Sequence, residues 1–185
     1  MKTYHSDIPS DSLIANALER IDYQDVYGLQ LPIQSEDLLV KMPLAFFSTI
    51  PSWLRILFYI RESSAKWLGL KKAHEMDVLQ QMENFRGEVG ESIALFKVMG
   101  RSETEVLSGE NDSHLDFRLS FFALPNAQGT ELRLATTVQF NGTLGKLYFI
   151  PVGPIHRLIT PYMLKRVGKA LMESHESGTL SMATK

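Results

Sequence analysis

A chain of 185 residues with 44% hydrophobic residues can bury one sizeable core, and nothing in its length demands a second domain. Lysine and arginine number 19 against 21 aspartate and glutamate, a net charge of -2 that gives no electrostatic reason to expect a nucleic acid or an anionic membrane as partner. Cysteine is absent, which excludes disulfides, thiolate nucleophiles and cysteine zinc sites and suits a reducing cytoplasm.

The N-terminal MKTYHSDIPSDS has no apolar stretch after its lysine, so no secretion signal is read there. Residues 1–20 are a lead-in to a single domain over residues 21–173. YQDVYGLQL, residues 23–31, predicts a strand with Tyr23, Tyr27, Leu29 and Leu31 in one row and Asp25 as the acid in that row. SEDLLVKMPLAFF offers Ser35 as an N-cap for a helix near residues 36–48. A second helix, capped by Ser48 or Thr49 with Pro51 in its first turn, repeats Trp53, Leu57, Ile60 and Trp67 before Gly69 closes it. The run from Pro43 to Ile60 approaches a membrane span in length. Pro43, Pro51 and Arg55 favour two short buried helices instead. A weak helix is read around residues 75–84.

From Ile93 the pattern turns to strands: SIALFKVMG, TEVLSG, HLDFRLSFFAL, ELRLATTVQF and GKLYFI, parted by Gly, Asn, Asp and Pro. In HLDFRLSF, His114, Asp116, Arg118 and Ser120 form a polar row and Leu115, Phe117, Leu119 and Phe121 an apolar one. ELRLATTVQF is two-faced in the same way. The two predict an antiparallel hairpin through a loop containing Pro125 and Gly129, in which opposed residues have numbers with an odd sum, as Arg118 with Thr137. From Gly153 onward Ile155, Leu158, Ile159, Tyr162, Val167 and Leu171 fall at helical spacing. Leu158, Ile159, Tyr162 and Val167 are expected on the sheet, with Pro161 kinking or dividing the helix. Residues 174–185 have little to bury and read as a mobile tail. Strand, two helices, a run of strands and a terminal helix make an α+β domain whose helix lies across the apolar sheet face.

These residues resemble a known family. GENDSHLDFRLS followed by TTVQFNGTLGKLYFIPVGPIHRLITPYMLKR, with YQDVYGLQLP and PSWLRILFYIRES upstream, looks like the domain-of-unknown-function family 2867, over about residues 20–168. The family motif usually has phenylalanine where this chain has Ile155 before His156. The element order resembles the helix-grip fold of the START and plant-allergen-like (SRPBCC, Bet v-like) superfamily. That resemblance implies a curved antiparallel sheet wrapped on a long C-terminal helix around an apolar cavity. It implies no particular reaction, since the superfamily includes lipid carriers, cyclases and regulators.

Three functions fit. The first is a domain holding a small apolar or aromatic molecule between sheet and terminal helix, lined by Trp53, Phe58, Trp67, Phe96, Phe117, Leu134, Phe149 and Tyr162. The second is a metal-independent enzyme of cyclase or isomerase type, with Asp25, His114, Asp116 or His156 as acid or base. The third is a protein-interaction module using the polar sheet face. Arg118 is assigned a structural role, tied to Asp116 or Asp112. Asp25 should find a buried donor, with Tyr23, Tyr27, Tyr148 or Arg118 within the candidate set. The five histidines show no HxH, HxxxH or HExxH spacing, so no metal is assigned, and no motif calls for a cofactor.

Overall fold

The structure, a computed structural model, describes residues 1–54, 75–94 and 96–183. Its strands are β1 (Thr3–His5), β2 (Tyr23–Leu31), β3 (Ser92–Ile93), β4 (Phe96–Arg101), β5 (Glu105–Asn111), β6 (Leu115–Asn126) and β7 (Gly129–Phe140). Its helices are α1 (Leu38–Ser48), α2 (Glu75–Asn84) and α3 (Gly142–Ala183), with a 3-10 turn at Ile14–Asn16. All seven strands join one curved antiparallel sheet in the order β1-β2-β7-β6-β5-β4-β3. The long helix α3 lies across its concave side, so the architecture is the α+β helix-grip arrangement.

The sheet is built on the β6–β7 hairpin. Arg118 faces Thr137 and Phe121 faces Leu134, the odd-sum register that puts both apolar rows on one side. The ladder runs on through Pro125 with Thr130 and Asn126 with Gly129, so the connection is shorter than expected. Gly129 has φ +122, and a Cβ there would strike the Leu31 carbonyl at the end of β2. Only glycine suits that junction.

One face of the sheet carries the main core. Leu29, Leu31, Phe121, Leu132 and Leu134 meet Leu39 and Met42 of α1 and Leu164, Val167 and Leu171 of α3. The other face is only partly the wet surface that its alternation suggests. There Val26, Leu107, Phe122 and Ala135 are covered by Ile14 from the lead-in, while β1 extends the sheet at its edge. Fully buried Glu105 fastens this cover. Its two carboxylate oxygens accept the Leu13 and Ile14 N–H groups at 2.6 and 3.0 Å and the Ser120 hydroxyl at 2.5 Å. Three donors on one carboxylate satisfy a charge that would otherwise be costly to bury.

The terminal helix differs from expectation in start and phase. GKLYFI is the beginning of α3 rather than a strand, and the helix starts at Gly142 rather than Gly153. Its β-branched and aromatic residues carry strand propensity, but Tyr148, Phe149 and Val152 pack as a helical face on Leu115, Val138 and Phe140. Tertiary burial outweighs local preference. Pro151, Pro154 and Pro161 all lie within the one helix, which Pro161 does not divide. Leu158 and Tyr162, expected on the sheet, are 74% and 40% exposed. Thr160, Leu164, Val167 and Leu171 take that face, and Leu158, six residues before Leu164, points about 120° away from it. Val167 is buried as expected. The helix runs on through Ser174 to Ala183.

Among the described residues no helix is long and apolar enough to cross a membrane. Of the apolar run 43–60, α1 takes its first part, with Pro43 inside that helix, and residues 52–54 form a helical turn. Its remainder lies outside the described residues, as do Phe58 and Trp67. Helix α2 stands where the sequence placed a weak helix.

Candidate functional site

The sheet and the two helices do not close completely upon one another. Between them lies a cavity of about 470 Å³, within the range of small-molecule sites. Its floor comes from β4, β6 and β7 through Phe96, Leu115, Phe117, Leu119, Leu134 and Val138. The end of α1 and the residues after it supply Phe46, Ile50 and Leu54. The first half of α3 closes the other side with Tyr148, Phe149, Val152, Ile155 and Ile159. Polar groups interrupt this apolar wall at His114, Thr136, His156 and Thr160, and Tyr148 adds a phenol.

His156 and Thr160 stand one turn apart on α3, and His156 meets Asp25 of β2. The Asp25 Oδ2 accepts the Tyr23 hydroxyl at 2.7 Å and lies 2.8 Å from His156 Nδ1. The alternation of β2 puts Asp25 in the inward row between Tyr23 and Tyr27, and the helix covers it. Thr160 donates its hydroxyl to the His156 carbonyl at 2.9 Å, which leaves its Oγ1 as an acceptor 3.1 Å from Nδ1. With acceptors on both approaches, Nδ1 is placed to donate. Nε2 is then the nitrogen with the free lone pair, and among the described residues it makes no hydrogen bond. Tyr23 stays a phenol: burial pushes its pKa up, and the Asp25 carboxylate beside it adds to the rise, with the Arg157 guanidinium opposing it. Arg157 lies 5.6 Å above the Tyr23 ring, and its carbonyl accepts the Tyr27 hydroxyl.

Two buried groups around this cluster lack partners. Asp25 Oδ1 has no hydrogen bond, and neither has the Thr136 hydroxyl. Thr136 stands directly opposite Asp25 in the β2–β7 pairing, so the two side chains share the inward face. Buried polar atoms are normally satisfied. Two exceptions in adjacent positions beside a cavity mark this corner out.

His114 occupies a different position from the rest of its sequence row. It precedes β6, is buried, and lies edge-on to Tyr148 at 4.9 Å, while its carbonyl accepts the Asn141 N–H. A Cβ on Gly145 would collide with that carbonyl, so glycine lets the first turn of α3 press against it. His114 Nδ1 lies 3.6 Å from Asp112 Oδ1 without a hydrogen bond. Asp116 and Arg118 lie outside the cavity wall. Asp116 accepts the Asn141 amide and the Asp112 N–H at 3.1 and 3.2 Å. Arg118, expected on a carboxylate, instead donates to the Phe117 and Glu110 carbonyls at 2.9 and 3.4 Å. Burial pulls the pKa of its guanidinium down, with Asp116 and Glu110 opposing.

Of the lining expected from sequence, Phe96, Phe117, Leu134 and Phe149 face the cavity. Trp53 and Tyr162 do not; they meet each other at 6.1 Å and are both exposed. Thr136 and Thr160 were missed, because a threonine in a strand or helix carries no pattern of its own. The inward phase of β2 and β7 already held the signal for Thr136, since it sits in the row of Leu132 and Leu134. Among the described residues no three His, Asp or Glu side chains come together to hold a metal.

Comparison with curated proteins and comparison with solved structures each return no significant match. The model of a family described as "Protein of unknown function (DUF2867)" matches residues 17–163, which include the whole cavity corner of Asp25, Thr136, His156 and Thr160, and the chain belongs to that family.

Proposed function

We propose that the domain binds a small, mostly apolar or aromatic molecule in the cavity between sheet and terminal helix, and that it is a helix-grip protein of the START-like (SRPBCC) superfamily acting in the cytoplasm. The cavity carries this reading: a space of about 470 Å³ lies between sheet and helices, although a single-domain core of this size normally packs with few voids. Aromatic rings from four elements form the wall, and polar groups cluster at one corner. Such a site favours an apolar body bearing one polar end, held by burial and oriented by a few hydrogen bonds.

Native mass spectrometry of the intact chain purified from its own host tests this directly. A retained small molecule is the expected result, and an apolar dye such as anilinonaphthalene sulfonate should compete with it. A chain that carries nothing and binds no apolar probe would refute the proposal.

The enzymatic alternative gains support from one observation, the contact of Asp25 with His156 at the cavity wall. An interaction module on the opposite sheet face is less supported, because Ile14 and the residues around it already cover much of that face.

A further inference from the structure

We propose that His156 is a general base, positioned by Asp25, that removes a proton from a carbon beside the carbonyl group of an apolar ligand, so that the domain isomerises what it binds. This rests on the binding reading above and adds a reaction to it. The substrate class is an apolar ketone or related carbonyl compound with an acidic neighbouring C–H.

The geometry supplies each part that such a proton transfer needs. The tautomer is fixed by two acceptors on Nδ1, Asp25 Oδ2 at 2.8 Å and Thr160 Oγ1 at 3.1 Å. That leaves the basic Nε2 lone pair on a residue of the cavity wall. When Nε2 takes a proton, the ring becomes a cation, and the buried Asp25 carboxylate stands in contact with it. Tyr23 donates to the same carboxylate oxygen, which holds Asp25 in place. Thr136, with a buried hydroxyl that has no partner, is placed across the strand pair from Asp25 to donate to the substrate's carbonyl oxygen. The remaining polar members of the wall are His114 and Tyr148, and Arg157 is the nearby cation, stacked on Tyr23.

The step balances without a co-reactant. Nε2 takes the proton, the C–H electron pair becomes the carbon–carbon double bond of an enolate, and the carbonyl oxygen receives the charge. Nε2–H then returns the proton to the same carbon or to a conjugated one, and the carbonyl re-forms. Substrate and product are isomers, and nothing is oxidised or reduced.

The test uses the full chain and nitrobenzisoxazole, an apolar aromatic with one acidic C–H. A base that removes this proton breaks the ring N–O bond and releases a coloured cyanonitrophenolate, with no other reagent consumed. Displacement of anilinonaphthalene sulfonate reports its binding separately. The expected result is turnover well above that of free imidazole at equal concentration, lost by about 100-fold or more in His156→Gln with dye displacement retained. Asp25→Asn should lower kcat and leave KM within about twofold, as befits a positioning residue. Equal rates in the wild-type chain and His156→Gln, with the dye still displaced, would overturn the base and leave binding standing. No displacement by nitrobenzisoxazole in the wild-type chain would overturn both. Should His156→Gln fail to fold, nitrogen NMR of the wild-type imidazole decides: the Nδ1-protonated tautomer is expected, and the Nε2-protonated one would refute the proposal.

Discussion

Two buried carboxylates, one on each face of the same sheet, show how differently a charge is handled in a scaffold and in a site. Glu105 is 1% exposed and spends both oxygens on backbone N–H groups and a serine hydroxyl that tie the lead-in to the sheet. Asp25 is 7% exposed, uses one oxygen for Tyr23 and His156, and leaves the other without a partner. The first arrangement closes a structure and has nothing left to offer a ligand. The second leaves one buried carboxylate oxygen without a partner beside a cavity, a cost that folding alone would not select. Burial does not separate the two, and satisfaction of their lone pairs does.

The predictions sharpen that contrast. The largest effect belongs to the core that supports both faces: Leu164→Ala should cost about 2 to 5 kcal/mol in urea unfolding, since Leu164 is fully buried against the sheet. Next is Glu105→Ala, which strips three buried donors of their acceptor and should cost about 3 kcal/mol while leaving dye binding in the cavity unchanged. A stable Glu105→Ala chain would break the comparison. Asp25→Asn should behave oppositely, moving stability by less than about 1 kcal/mol or even raising it, because functional carboxylates are often held at a cost to folding. A loss as large as that of Glu105→Ala would make Asp25 a structural acid after all.

A smaller effect comes from the edge of the outer face, where Glu131 accepts Arg133 and Tyr4 at 2.6 and 2.8 Å. The hydrogen bond from Arg133 holds the Glu131 carboxyl below its ordinary 4.5, against the upward push of burial and with help from Tyr4. A depressed value means that the stabilisation is complete above the unfolded-state value and is lost as pH falls through the folded one. Urea midpoints should therefore fall between about pH 5 and pH 3, and Arg133→Gln should flatten that part of the fall. Surface position limits the size of this step. The smallest effect is Leu158→Ala, within about 0.5 kcal/mol of the parent, because its side chain is mostly in solvent.

The sequence by itself determined the central strands of the sheet. Alternation in residues 23–31, 114–123 and 131–140 placed the bodies of β2, β6 and β7, and parity restricted the hairpin to odd-sum registers, because a slip of one residue would turn Phe117, Leu119 and Phe121 outward. The same phase put Asp25 inside, and the resemblance carried by residues around His156 identified the family. Tertiary structure alone decided the rest. Whether GKLYFI became strand or helix depended on the ring and methyl contacts of Phe149 and Val152 with Leu115 and Val138, which lie far away in sequence. That choice moved the start of α3 to Gly142, and the observed helix turns Leu158 to solvent and brings His156 onto Asp25, 131 residues away in sequence. Glu105 as a clasp for the lead-in was equally hidden, since its partners are backbone N–H groups, which every sequence has. Periodicity reports which side of an element is buried. Which buried groups meet is fixed only when the elements pack.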